Sequence, residues 1–287
     1  MGFWTLLVAL VIGNPASGAF VSISQATLMD LGAAERERRM AWWTLAGSFG
    51  YVGGPVLLAA LVWIGVGWRG ALLALALATL VPLFAARRIP FSRATDGVSL
   101  ARALRGAANA LRRRDVLRWL MVLQAADLLL DVFHGFLALY FVDVAGSSAA
   151  DASLAVGVWT GAGLIGDALL IPLLRRVPGV AFLRASALLV LACYPTFLLV
   201  ADTAPKLVLL AALGLLNSGW YAIPKAGLYG ALPGRSGAAI AVGGLAGLVG
   251  TFIPLGVGAL AEAIGLGPAM WVLLAAPVAL LVLVPRR

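Results

Sequence analysis

Residues 153–174 read SLAVGVWTGAGLIGDALLIPLL, an apolar run interrupted by one charge, Asp167. A membrane-crossing helix needs about 20 predominantly apolar residues, which this run supplies. The bilayer forbids unpaired backbone, so a span is either a helix or part of a closed barrel. Barrel strands alternate polar and apolar residues over about 10 positions, whereas this run is uniformly apolar and about twice as long. It reads as a transmembrane helix. Working outward, similar runs occupy 3–28, 41–65, 69–86, 117–142, 181–201, 206–229, 238–261 and 268–285. The chain of 287 residues is 62% hydrophobic and only 11% charged, too little polar surface to cover a water-soluble core. An all-α polytopic membrane protein with about nine spans and no sizeable soluble domain follows.

The net charge of +9 points to topology and not to nucleic acid, because the cations gather in no face and no aromatic-interleaved patch. Arg36, Arg38 and Arg39 follow the first span, and nine arginines from Arg87 to Arg118 follow the third. Arg175, Arg176 and Arg184 follow the fifth, Arg235 the seventh, and Arg286 and Arg287 the ninth. The alternate loops hold only Arg69 and Lys206. Positive loops mark the cytoplasmic side, which places Met1 outside and the C-terminus in the cytoplasm of a cell-membrane protein. Cys193, the single cysteine, lies in an apolar run and is expected to pack there. No basic region precedes the first run, so no signal peptide is visible.

Three units follow. Residues 1–86 form a three-span bundle, 87–116 a cytoplasmic linker, and 117–287 a six-span bundle. Within the linker, Leu100, Leu104, Ala107, Ala108 and Leu111 recur at helical spacing beside Arg102, Arg105 and Arg112. An amphipathic helix from Ser99 to Arg114, lying on the membrane interface, is expected.

Charge inside a bilayer is costly and marks candidate functional groups. Asp127, Asp131 and His134 fall on one face of the fourth span. Asp127, Asp167 and Lys225 share a level, each about 12–15 Å from the cytoplasmic end of its own helix. Lys225 could instead snorkel to the interface, and Asp167 could simply pair with a neighbour. Two carboxylates on one buried face repel, so Asp127 with Asp131 is the natural place for a proton carrier. His134 fits a proton relay or polar packing equally well. Asn14, Gln25, Asn217, Trp220 and Tyr221 are further polar or aromatic groups within spans. They could meet solute or bond between helices. Gly243, Gly247 and Gly250 are expected to pack helices closely. Pro15, Pro224 and Pro254 are expected to kink them.

Gly50-x-x-x-Gly54-Pro55 follows the charged stretch from Asp30 to Arg39, and Gly67-Trp68-Arg69 opens the next span. Leu173-Leu174-Arg175-Arg176 closes the fifth, and Pro233-Gly234-Arg235 precedes Gly237. With a long linker before six spans, these features resemble the major facilitator superfamily (MFS) of transporters. Gly50, Gly54 and Pro55 match the core of the family's glycine–proline packing motif on helix five. Val56 to Ala60 lacks that motif's later glycines. The resemblance implies that the nine spans are family helices four to twelve, with the first three absent. Met1 would then be an internal start of a longer transporter, or the gene would be decayed, and the first bundle would be loosely packed. It also implies that Asp127, Asp131, Asp167 and Lys225 border the central cavity of the second half.

The function expected is secondary active transport of a small solute by rocking alternating access, coupled to protons as efflux or exchange. A truncated, non-transporting remnant or an accessory membrane protein is the alternative. An intramembrane enzyme fits less well: Gly163 and Gly166 are misplaced for a Gly-x-Gly-Asp protease, and Leu215-Leu216-Asn217-Ser218-Gly219 lacks the Gly-x-Ser-Gly of another class. No catalytic residue, metal or cofactor is expected, since one histidine cannot build a metal site and no phosphate-cradling loop occurs. The partners expected are a solute, H+ and the lipid bilayer, without nucleic acid, for a monomer.

Overall fold

The computed structural model describes residues 3–32, 35–88 and 100–285. Met1, Arg93, Ser99, Arg286, Arg287 and the side chains of Leu100, Arg102 and Leu104 lie outside the described part. Three helices come first: α1 (Phe3–Asp30), α2 (Arg36–Trp63) and α3 (Gly67–Ala86). A short helix follows, α4 (Leu100–Leu111). The second bundle holds α5 (Arg114–Val144), α6 (Ala149–Leu173) and α7 (Gly179–Leu199). It continues through α8 (Thr203–Leu216) and α9 (Ala222–Ala231) to α10 (Ser236–Ile264) and α11 (Leu266–Leu283). Among the described residues, eight helices are long and apolar enough to cross a membrane.

The seventh span departs from the expected continuous helix. It opens at Asn217-Ser218-Gly219-Trp220-Tyr221, where Gly219 takes a φ of +78°. That left-handed conformation suits glycine, which has no Cβ to clash. Pro224 consequently lies in the first turn of α9 and kinks nothing. Lys206, expected in a loop, is instead buried in α8. Its ammonium donates to the Phe197 carbonyl (3.1 Å) and the Tyr140 hydroxyl (3.3 Å), between the rings of the same two residues. These rings belong to a cluster with Phe133, Phe141, Trp159 and Tyr194 that forms the core of the second bundle.

α6 and α8 cross closely. A Cβ at Gly214 would sit 2.9 Å from Ala162 Cβ and 3.0 Å from the Trp159 carbonyl oxygen. The same atom at Gly166 would meet Ser218 Cβ at 2.9 Å and the Leu215 oxygen at 3.1 Å. Small residues admit this approach, and membrane helices associate through such packing. The glycine–proline motif of α2 behaves differently. Gly50 and Pro55 are exposed, and a Cβ at Gly50 or Gly54 would meet nothing within 4 Å. Among the described residues the motif packs no helix, because α2 buries its opposite end (Met40, Ala41 and Leu45). Gly214→Val should therefore destabilise the chain by about 1–3 kcal/mol through overpacking. Gly50→Val should leave thermal unfolding in detergent unchanged. Equal melting temperatures for the two variants would contradict this packing.

The first bundle is loosely held. None of the most apolar window of α1 is buried within the chain, against 44% of that of α5. α3 packs principally on α2, whereas α2 reaches α6 and α9 and so joins the two bundles. On α4, Ala107 and Ala110 are buried and the helix packs on α10, while Ala108 is exposed. One apolar stripe of this helix thus faces protein.

Candidate functional site

α5 carries the site, and its geometry is unusual at the decisive point. Leu128–Val132 forms a π-helical turn directly after Asp127, and Tyr140–Val144 forms a second. Such widened turns recur at functional sites because they re-aim neighbouring side chains. Asp127 and Asp131 here border two cavities at once. The larger, of about 900 Å³, also receives His134 from α5 and Asp167 from α6. The smaller, of about 290 Å³, lies against α10 between Gln124, Gly250 and Pro254.

Asp167 is a junction. Ser48 of α2 donates its hydroxyl to Oδ2 at 2.5 Å, and the Gly219 N–H of the broken span points at the same carboxylate. The carboxylate thereby ties together α2, α6 and the α8–α9 turn. Tyr221 reaches the first bundle in the same way, since Gln25 Nε2 donates to its hydroxyl at 2.6 Å. Beside it, Trp43 lies 6.2 Å from the Tyr221 ring and donates through Nε1 to Ser24 Oγ (3.0 Å).

The remaining candidates are placed differently. Lys225 stands behind Tyr221, its ammonium 5.7 Å from that ring's centroid, and does not line the larger cavity. It acts electrostatically on Asp127 without a direct ion pair. Trp220 turns away from the cavity into the core, where Nε1 donates to Ser186 Oγ at 2.9 Å. Asn217 does line the cavity, and both polar atoms of its buried side chain lack a hydrogen-bond partner. Asn14 is exposed on α1. Ser48, Trp43 and Trp159 line the site although sequence reasoning did not single them out. Ser48 beside Gly47 was the available signal, a hydroxyl in a small-residue stretch of a span.

Polar contacts at helix ends join the two bundles and, within the second, tie α5 and α7 to α11. Glu37 at the start of α2 accepts the Gly179 N–H at the start of α7 (3.2 Å), an anion on a helix N-terminus. At the C-terminus of α11, Arg118 donates to the Leu283 carbonyl and Arg184 to that of Val284 (3.1 Å).

A sequence model described as "Major Facilitator Superfamily" matches residues 1–253. The chain belongs to that superfamily. The chain is similar to a solved MFS transporter, FucP in an outward conformation, with a TM-score of 0.66 at 15% identity. That match covers 92% of this chain and 71% of FucP. A variant of the E. coli fucose:proton symporter FucP gives 0.69 at 17% identity, covering 98% and 77%. Comparison with curated proteins found none that matches. The fold is a partial MFS fold in a multi-pass membrane protein, and the family and these neighbours are transporters, not enzymes.

Proposed function

We propose that this MFS protein is a secondary active transporter that moves a small solute by alternating access, with protons carried by Asp127 and Asp131 as efflux or exchange. The observation that carries the reading is the larger cavity itself. It lies between the two bundles and is bordered by the carboxylates of α5 and α6 and by residues of α1 and α2. A site at the junction of two bundles can be exposed to either side by rocking one against the other. The Glu37–Gly179 contact and the Ser48–Asp167 bond are the links that such a motion must break. Asp127 and Asp131 suit the proton role because they share one helical face and both open into the cavities. Accumulation of solute in proteoliposomes under an imposed proton gradient, absent without it, is the test; gradient-independent flux would contradict the coupling. A second reading, a non-transporting or accessory membrane protein, is favoured by the exposed faces of α1 and α3. Complete absence of flux from well-folded protein would support it.

The orientation belongs to the same proposal, with Arg-rich loops cytoplasmic, the C-terminus inside, and the plasma membrane as the location. In a Cys193→Ser background, Ser147→Cys should react with an impermeant thiol reagent in intact cells and Ser99→Cys should not. Reversed labelling would overturn the topology.

A further inference from the structure

We infer that the solute is an organic cation with an aromatic or apolar body, held by Asp131 against an aromatic wall. This rests on the transporter reading above and names the solute class of that site. Among the described residues the larger cavity is lined by three aspartates and one histidine, with no lysine or arginine. Lys225, the one basic group among the described residues to act on Asp127, stands beside the Tyr221 ring outside the lining, one cation against three carboxylates. An anion would therefore meet a wall in which carboxylates outnumber cations.

Most hydroxyls of the wall are already engaged. Ser48 is bonded to Asp167, Ser24 to Trp43, and Tyr221 to Gln25. What remains open among the described residues are the carboxylates of Asp131 and Asp127, His134, the Tyr51 hydroxyl and the amide of Asn217, with Asp131 bordering both cavities beside the aromatic wall. The rest of the wall is aromatic, with Trp43 and Tyr221 on one side and Trp159 and Phe20 among the other lining groups. A cation near ring faces and one carboxylate is attracted by both, more strongly where water is excluded. Cation and proton then compete for Asp131, which makes exchange the natural mode.

The probe is tetraphenylphosphonium, whose charge does not depend on pH, binding to the purified 287-residue chain in detergent. Saturable binding is expected, weakened about tenfold or more in Asp131→Asn. Asp131→Glu should retain it, and an unchanged melting temperature would show that the Asn variant folds. Binding should also weaken as the medium is acidified, because Asp131 and its α5 neighbours Asp127 and His134 take up protons. Saturable binding of L-fucose with tetraphenylphosphonium ignored, or undiminished cation binding in folded Asp131→Asn, would overturn the cation inference and leave the transporter reading intact. Failure of the wild-type chain to bind the cation would overturn it equally. Asp131-dependent cation binding that is indifferent to pH would support the cation site and count against proton coupling instead.

Discussion

Asp127→Asn is expected to lower proton-driven solute accumulation by about 100-fold, the scale on which a group that carries a proton in the limiting step acts. Asparagine keeps the shape of the side chain but cannot take up or release a proton. Downhill exchange of labelled for unlabelled solute needs no net proton movement and should persist. Retained accumulation would move the coupling role to Asp131 or remove it from α5 altogether. Loss of exchange together with accumulation would point to solute binding or folding instead.

Lys225→Met should be the most destabilising single change at this level of the bundle. The lysine stands among buried residues of α9, and its charge acts on Asp127 across the α5–α9 contact. Removing one partner of a buried pair leaves the other uncompensated and costs on the order of 3–5 kcal/mol. Because the two side chains make no direct ion pair and Asp127 can relieve its charge by taking up a proton, a smaller loss of about 1–3 kcal/mol is expected here. Adding Asp127→Asn should return most of the loss, since the orphaned charge is then gone. Thermal unfolding of the two single variants and the double variant reads this out. A double variant no more stable than Lys225→Met would show that the lysine serves packing alone.

Hydropathy revealed the apolar lengths because lipid imposes them, and the in-span charges stood out because lipid penalises them. Asp127, Asp131 and Asp167 line one cavity, but it lies between the two bundles and not within the second alone, and Lys225 is not in its lining. Rotation and continuity within a span were harder to read. Asn217-Ser218-Gly219 matches no protease motif, yet a polar triplet ending in glycine suits a helix end. With the helix broken there, Trp220 turns into the core towards Ser186 while its neighbours Asn217 and Tyr221 face the cavity. The π turn after Asp127 has no sequence signature, since it depends on how α5 packs. Lys206 looked like a loop cation because its partners are a carbonyl and two rings contributed by other helices, not a nearby carboxylate. Gly50 and Gly54 carried a packing motif, but no described helix lies against them.

The central claim is that a carboxyl group of α5 exchanges a proton within the membrane. Infrared difference spectra of the chain in lipid, recorded as the bathing pH is stepped, test it without knowledge of the solute. Protonated carboxyl groups absorb apart from carboxylates, and each aspartate can be assigned by its Asn variant. The account predicts a pH-dependent carboxyl band that disappears in the Asp127→Asn/Asp131→Asn double variant and survives in Asp167→Asn. A spectrum in which the double variant titrates like the wild type would contradict it.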